Sequence, residues 1–409
     1  MKSKSVLLVG VGKQGRAALW DLINSNVVSK VIAVDTVSSA EEYVRRLGSD
    51  KASFVNADLR DRTKILELAK EVDLIVYLGP AKYTHDMIRL AVEAGKHLVN
   101  ANYLIPPDTS LDPVRYRALK ENIDKLNSIA EEAGITVLPE FGLDPGIDLV
   151  LVGQAIRELS VVEELYTYGT GIPDHQAAAT NPLKYKVTWT FEGVLNAYKR
   201  PARIIRESNI EVIPATEIFS KQYCHEEEFE GLGKLDVYPN GDAVEFAAIF
   251  NILGDLKHSA RYSARWPGHC DFWKKLVDLH FLDEEPIRVD SASVSPRKFL
   301  AALLEPQLQL KEGERDIALV RVDARGVKGG KYARVVYQLL DYRDLETGFT
   351  AMQRTTGFTA SVGAQMILRG DISKRGILFP GTDVPFDVLT AELEKRGMKI
   401  THIVEEQHR

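Results

Sequence analysis

The sequence predicts an α/β protein in which a doubly wound parallel sheet is followed by an α+β domain with a mixed sheet. Three observations carry this prediction. A glycine-rich turn separates an aliphatic run from a helical one at the start of the chain, in "VLLVGVGKQG" from Val6 to Gly15. Short apolar runs then alternate with helix-period segments up to about residue 148, the pattern of parallel strands joined by crossover helices. Beyond that point the texture changes to longer runs of period-two alternation separated by hairpin turns.

Val6 to Val9 is β-branched and aliphatic and stops at Gly10, and "KQGRAALWDLINS" then places Ala17, Leu19, Leu22 and Ile23 near helical spacing. The next run, "VIAV", ends at Asp35, about where the acidic residue of a dinucleotide-binding unit meets the ribose hydroxyls. In this setting Gly10 permits the tight turn, Gly12 lets the backbone approach a pyrophosphate, and Gly15 allows close helix packing. Lys13 and Gln14 open the helix whose N–H groups face the anion. This is a Rossmann-type arrangement. Strands follow at "ASFV" ahead of Asp58, at Asp73–Gly79, at Lys96–Asn100 and at Ile135–Glu140. The helix before the last of these, Val114 to Glu132, sets Ala118, Leu119, Ile123, Leu126 and Ala130 on one face and ends at Gly134. Ligands of such sheets lie beyond the carboxyl ends of the strands, so Asp58, Gly79, Pro80, Asn102, Tyr103 and Glu140 border the expected site. Asp58 reads equally well as the cap of the helix that follows it.

From residue 149 to about 350 the chain reads as the α+β domain, with an antiparallel pair joined at Val327–Gly330. Helices are expected from about His269 and at "SPRKFLAALLEP", where Ser295 caps and Pro296 opens the first turn. Residues 351–409 read as a helical segment that returns to the first domain.

Composition narrows the class of function. The chain has 409 residues, 45% hydrophobic and 27% charged, with a formal net charge of −6 and no polybasic or polyacidic block. That excludes a nucleic-acid footprint and favours a small-molecule ligand. Its two cysteines, Cys224 and Cys270, are distant in sequence and form no C-x-x-C, which argues against a disulfide framework or a zinc knuckle and for an intracellular, cytoplasmic protein. No metal site and no membrane span is expected from the sequence. Asp35 accepts hydrogen bonds from a free 2'-hydroxyl and repels a 2'-phosphate, and "TVSSAEE" after it supplies no arginine, so NAD is expected over NADP.

Several stretches together resemble the saccharopine dehydrogenase family, most closely its lysine 6-dehydrogenase branch. They are "GVGKQGRAALWDL", "FGLDPGIDLVL", "GTGIP", "NPLKYKVTWTFEGVLNAYKRPARIIR", "RWPGHCDFWKKLVDLHFL", "SPRKFLAALLEP", "MQRTTGFTA" and "SKRGILFP", in order over nearly the whole chain. The resemblance implies hydride transfer between a nicotinamide and a carbon bearing an amine, an amino-acid substrate, and a second domain that binds substrate and forms a homodimer. Within the family, "GLDPGID" and "YPNGD" look like the saccharopine-forming reductases, whereas "GIP" and "ISKRGILFP" look like lysine 6-dehydrogenase. Glu192 stands where saccharopine-reducing relatives are expected to carry an arginine for an extra substrate carboxylate. That charge suits a cationic amine and favours oxidation of the ε-amine of L-lysine. Saccharopine dehydrogenase (L-glutamate-forming), carboxyspermidine-type reductive coupling and a nucleotide-binding regulator are the alternatives.

Amine oxidation of this kind requires a base, and Tyr103, Glu140 and Asp144 are the candidates, with Asp148 a helical turn further on. Tyr103 reads equally as a packed aromatic. Asp144, followed by Pro145 and Gly146, also reads as a helix N-cap. Glu140 suits either a base of raised pKa or a holder of the substrate ammonium. For the substrate carboxylate, Lys184, Arg203, Arg265 and Arg354 lie in family-like motifs, with Arg265 the first choice. His269, at an expected helix start, reads as a neutral imidazole that either packs or contacts substrate.

Overall fold

The computed structural model describes residues 4–107 and 109–407; residues 1–3, 108, 408 and 409 lie outside that description. The chain divides into two compact units, Met1–Gln154 with Gln353–Ile400, and Ala155–Met352 with Thr401–Arg409.

The aliphatic runs near the N-terminus are apolar at nearly every position because their strands are covered on both faces. β1 (Lys4–Val9), β2 (Val28–Asp35), β3 (Ala52–Asn56), β4 (Leu74–Tyr77), β5 (His97–Asn100) and β6 (Thr136–Leu138) alternate with α1 (Lys13–Ile23), α2 (Ser38–Leu47), α3 (Arg62–Lys70), α4 (Thr84–Ala94) and α5 (Pro113–Glu132). α6 (Ile147–Arg157) follows β6. Leu7, Val9, Ile32, Ile75, Leu98 and Val137 from the strands pack with Ile65, Leu68, Ile88 and Leu126 from the helices in one core. α5 starts one residue earlier than expected, at Pro113, because Asp112 caps it by accepting from the N–H groups of Val114 and Arg115. Of its expected apolar face only Leu126 and Ala130 are buried, and Ala118 is exposed.

In the second unit β7 (Val161–Pro173) is followed by α7 (His175–Ala178), α8 (Phe191–Ala197), β8 (Ala202–Arg206), β9 (Asn209–Ile213), β10 (His225–Phe229) and β11 (Gly233–Pro239). Then come α9 (Ala243–Ile249), β12 (His258–Arg265), α10 (His269–Asp278), β13 (Ile287–Val289), β14 (Ala292–Val294), α11 (Pro296–Leu304), β15 (Asp316–Lys328) and β16 (Lys331–Tyr342). The expected hairpin joins β15 to β16 through Gly329 and Gly330, at φ 57° and 82°, a backbone that two successive glycines adopt without penalty. Ser295 caps α11 as expected, accepting from the Lys298 N–H.

The chain then passes through a π-helical turn at Arg354–Phe358 into the helix Thr359–Arg369. Gly357 is required in that turn, since a Cβ there would meet the Gln14 carbonyl and Ala17 of α1. Two more strands end the chain, β17 (Gly376–Ile377) and β18 (Ile400–Gln407).

The first sheet has seven strands in the order β17-β6-β5-β4-β1-β2-β3, with parallel pairings throughout. Its strand order reverses between β1 and β4, the switch point at which open α/β sheets bind ligands. The second sheet is mixed, in the order β10-β11-β12-β7-β15-β16-β18, with β8 and β9 branching from β12. The C-terminal segment therefore departs from the expectation of a helical stretch confined to the first domain, because β18 lies beside β16. Its polar sequence carries no apolar period, and its side chains hold by charge: His402 stacks on Tyr337 and bonds Glu158 at 3.0 Å, and Glu405 and Glu406 pair with Arg334 and Lys331. Among the described residues no helix is long and apolar enough to cross a membrane.

Candidate active site

In the first unit the three motif glycines divide their work. Gly10 follows β1 at φ 96°, and a Cβ there would press on the backbone of Leu78 and Gly79 at 2.8–2.9 Å. A Cβ on Gly15 would run into the Gly10 carbonyl, so α1 packs directly on the turn. Gly12 precedes α1 with no side-chain cap, and a Cβ built on it meets nothing within 4 Å. The two outer glycines are needed by the fold, and the middle one leaves open space in front of a helix N-terminus. That is the cradle a pyrophosphate requires, with Lys13 and Gln14 in its first turn and the Lys13 carbonyl held by Gln353 at 3.1 Å.

Asp35 ends β2 with both carboxylate oxygens engaged. Oδ2 accepts from the Val11 N–H at 2.7 Å, and Oδ1 from the N–H groups of Thr36 and Val37 at 2.7 and 3.1 Å. The segment after Asp35 supplies no arginine, but Arg16 reaches this corner from the preceding helix. Its guanidinium reaches from α1 to the carbonyl and hydroxyl of Ser39, at 3.1 and 3.0 Å, and to the Val11 carbonyl at 3.3 Å. The sequence near Asp35 carried no sign of it, because the cation comes from the preceding helix.

Asp58 does not cap α3; Asp61 does, accepting from the Lys64 N–H. The exposed carboxylate of Asp58 is instead forked by Arg60, whose hydrogen bonds hold its pKa down to about 2. Gly79 and Pro80 follow β4 beside Gly10. Tyr77 fixes them by donating its hydroxyl to the Pro80 carbonyl at 2.6 Å, and Asn102 donates to the Gly79 carbonyl at 3.3 Å.

Tyr103, Glu140 and Asp144 come together at the ends of β5 and β6. The Tyr103 hydroxyl donates to Asp144 Oδ1 at 3.3 Å. Glu140, held at φ 55°, accepts from the Leu104 N–H at 2.8 Å, while its own N–H donates to the Asn102 carbonyl at 3.2 Å. Glu140 thereby clamps the loop that carries Tyr103. A left-handed backbone at a non-glycine residue is costly and concentrates at functional sites. Of the two readings of Asp144, helix N-cap and substrate contact, the cap does not hold. α6 begins only at Ile147, the Pro145 carbonyl accepts from the Gly142 N–H inside a turn, and the exposed Asp144 faces Tyr103. Asp148 takes the local backbone role, accepting from the Gly146 N–H at 2.7 Å.

The four candidate cations separate by their partners. Arg203 is paired with Asp242 at 2.9 Å, and Arg354, in the first unit, donates to the Arg396 carbonyl at 2.8 Å. Lys184, exposed at φ 48°, donates to the Pro267 carbonyl at 3.4 Å. Arg265 is 7% exposed, lies over the rings of Tyr185 and Tyr238, and donates through Nη1 to Thr170 Oγ1 and to the Ala264 carbonyl. Its Nε has no hydrogen-bond partner, and among the described residues no carboxylate pairs with it. His269 opens α10 inside the same aromatic shell, with Nε2 at 2.8 Å from the Tyr198 hydroxyl. Burial first, and then the Arg265 charge, hold its pKa well below the ordinary value, so the imidazole is neutral. The helix end is therefore not the main cause. Glu192 is exposed in the first turn of α8.

Profiles of known families match both units. One described as "Saccharopine dehydrogenase NADP binding domain" covers residues 6–138, and one described as "Saccharopine dehydrogenase C-terminal domain" covers residues 142–398. The chain belongs to the saccharopine dehydrogenase family. As a member it is an oxidoreductase with a pyridine-nucleotide domain. Among curated relatives of this saccharopine dehydrogenase family member, the saccharopine dehydrogenase [NADP(+), L-glutamate-forming] of Pyricularia oryzae is 26% identical, over 98% of both chains. The carboxynorspermidine synthase of Vibrio cholerae is 24% identical over 91% of both. Among solved structures, the apo L-glutamate-forming saccharopine dehydrogenase of Saccharomyces cerevisiae has a TM-score of 0.83 at 22% identity, covering 98% of this chain and all of that one.

Sequence reading missed Arg16, Thr170, Tyr198 and Asn100. Asn100 is fully buried at the end of β5, its Oδ1 accepts from the Asn102 N–H at 2.9 Å, and its Nδ2 has no partner. Its place at the end of an apolar strand is the signal by which it could be found. Tyr198 and Thr170 gave none, because aromatic and β-branched residues at such spacing are ordinary core residues.

Proposed function

We propose that the protein oxidises a C–N bond of an amino-acid substrate of the saccharopine kind, a secondary amine bearing carboxylates, to an imine that water hydrolyses to L-glutamate and a semialdehyde, and runs the reverse reductive condensation. The observation that carries this reading is Arg265. A buried cation is normally paired, and this one lacks a carboxylate while keeping an unused donor, so an anionic group of the substrate is its natural complement. The names of the relatives support the same reaction.

A nicotinamide cofactor held at the turn of Gly10, Gly12 and Gly15 would supply the hydride acceptor for the carbon that carries nitrogen. Tyr103 and Asp144 move the proton that the amine must lose first: the phenol relays it from the nitrogen to the Asp144 carboxylate, to which it is already bonded. Glu140 holds the Tyr103 loop in place, and the neutral His269 keeps Tyr198 oriented beside Arg265 without adding a second positive charge.

Asp35 favours NAD, whereas Arg16 and Ser39 supply the cation and hydroxyl that a 2'-phosphate needs. The protein accordingly accepts both cofactors, and Arg16 carries the use of NADP. Glu192 favours a second substrate reading, oxidation of the ε-amine of L-lysine, since its exposed carboxylate repels a further carboxylate arm. Reduced-nicotinamide formation, measured with saccharopine and with L-lysine, each with NAD and NADP, decides between them. Turnover of saccharopine supports the first reading, turnover of lysine alone transfers the assignment to the second, and silence with both refutes each. A homodimer formed through the second sheet belongs to the same proposal, and light scattering on the purified protein tests it.

A further inference from the structure

We propose that Cys224 and Cys270, the only cysteines of the chain, are a redox site that closes into a reversible disulfide at the start of α10. Both thiols are free, Cys224 half-buried and Cys270 buried. Their separation in sequence hides how the second sheet brings them together. Cys224 directly precedes β10, which pairs with β11 at His225 and Val237. β11 pairs with β12 at Asp236 and Arg265, and the chain leaving β12 at Arg265 turns into α10. Asp236 fixes that turn from β11, accepting from the N–H groups of Gly268 and Cys270 at 2.9 and 3.3 Å. Two strand pairings and one capping carboxylate thus set Cys270 beside the start of β10. Cys270 belongs to one buried cluster with Tyr198, Tyr238 and Trp273, and Cys224 packs against that same cluster.

The chemistry has a direction. Cys224 is the more exposed sulfur and is anchored by donating to the Ile218 carbonyl at 3.2 Å. With a peroxide as oxidant, Cys224 sulfur attacks one peroxide oxygen, the O–O bond breaks, and the products are a sulfenic acid and water. Cys270 sulfur then attacks Cys224 sulfur, the S–O bond breaks, and a second water leaves with the thiol proton. Two thiols and one hydrogen peroxide thus give one disulfide and two waters. A dithiol reverses the step by exchange. The neighbouring Cys224 thiol, and then burial, push the Cys270 thiol up, so Cys270 is the less reactive sulfur toward peroxide and Cys224 the one it enters.

Closure draws the first turn of α10 toward β10 and acts on His269, the residue before Cys270 and the partner of Tyr198 beside Arg265. The oxidised protein is therefore expected to show a several-fold higher KM for the amino-acid substrate, with nucleotide affinity unchanged because the nucleotide loop belongs to the other unit. This last consequence rests on the substrate role proposed for Arg265; the disulfide does not.

The experiment treats the full-length protein with hydrogen peroxide, blocks remaining thiols, and maps peptides by mass spectrometry. A Cys224–Cys270 cross-link lacking two hydrogens, removed by dithiothreitol and absent in Cys224→Ser, is the expected result. Two alkylatable thiols, or separate sulfinic acids without a cross-link, would overturn the proposal. A cross-link that leaves KM unchanged would confirm the redox site and count against the Arg265 reading alone.

Discussion

Replacing Arg265 by methionine separates a structural arginine from one kept for a ligand. In the free protein the substitution removes two donor contacts, to Thr170 and the Ala264 carbonyl, and the stacking over Tyr185 and Tyr238. Hydrogen bonds from a charged group contribute about 1.5–3 kcal/mol each, and a cation–π contact about 0.5–2 kcal/mol. Against this, an unpaired buried charge retains a desolvation penalty of several kcal/mol. The two sides nearly cancel, so Arg265→Met should leave unfolding free energy within about 2 kcal/mol of the parent, or about 4–8 °C in Tm for a unit of this size. Substrate binding should respond quite differently. Loss of the single countercharge for a buried carboxylate costs about 3–5 kcal/mol, which is a rise of roughly two to three and a half decades in KM at 1.4 kcal/mol per decade. The assays are thermal unfolding and steady-state kinetics, with Arg265→Lys as a variant that keeps the charge but loses the fork. A methionine variant that melts far below the parent while keeping its KM would refute the ligand reading and make Arg265 a structural residue.

Tyr103→Phe and Asp144→Asn each remove one member of a bonded pair, and kcat should fall roughly 10²- to 10⁴-fold in single-turnover measurements while the nucleotide Kd holds. A nucleotide Kd that weakens with kcat would show that the loop, not the proton path, was damaged. Arg16→Ala should lower kcat/KM for NADP about tenfold or more, the worth of one charge-assisted contact, and leave NAD use intact; equal losses with both cofactors would place Arg16 in the fold alone. Asp316 is fully buried, and burial raises its pKa from 3.8 to about 6 although it accepts from the N–H groups of Ala351 and Met352. The folded state thus holds this proton longer than the unfolded chain, so its contribution is fully present below about pH 4 and is lost as pH rises through about 6. That loss is on the order of 3 kcal/mol. Denaturant unfolding at pH 4 to 7 should show the decline, and Asp316→Asn should flatten it; an unchanged slope in the variant would assign the decline to other groups.

The first unit was legible because its signals are local. A strand, a glycine turn and a helix lie next to one another in "VLLVGVGKQG", and each glycine has a separate backbone reason to be there. The hairpin at Gly329–Gly330 and the cap at Ser295 were readable for the same reason. What failed is non-local. Asp58 and Asp144 both looked like helix caps, and in both cases the helix starts later, at Arg62 and at Ile147. A cap signature specifies a turn and leaves open which residue the helix begins from. β18 was missed because its side chains hold by charge pairs rather than by an apolar face.

The four candidate cations show what sequence reasoning can rank and what only folding decides. The sequence puts Arg265 first among Lys184, Arg203, Arg265 and Arg354, but its letters show none of their partners. Arg203 acquires Asp242, Arg354 acquires a carbonyl, and Lys184 stays at the surface. Arg265 alone among them is buried without an anion, and it is ringed by three tyrosines and a histidine that burial keeps neutral. Aromatic rings tolerate a cation without neutralising it, so the shell holds the charge in place and leaves it available. Had any one of those positions been Asp or Glu, the charge would be spent within the fold. Partners set by the fold matter at Asp35 as well, where Arg16 comes from α1 to the Val11 and Ser39 carbonyls at the same corner. A charged residue is thus assigned to a ligand by the partner it lacks, and that absence is a property of the folded chain.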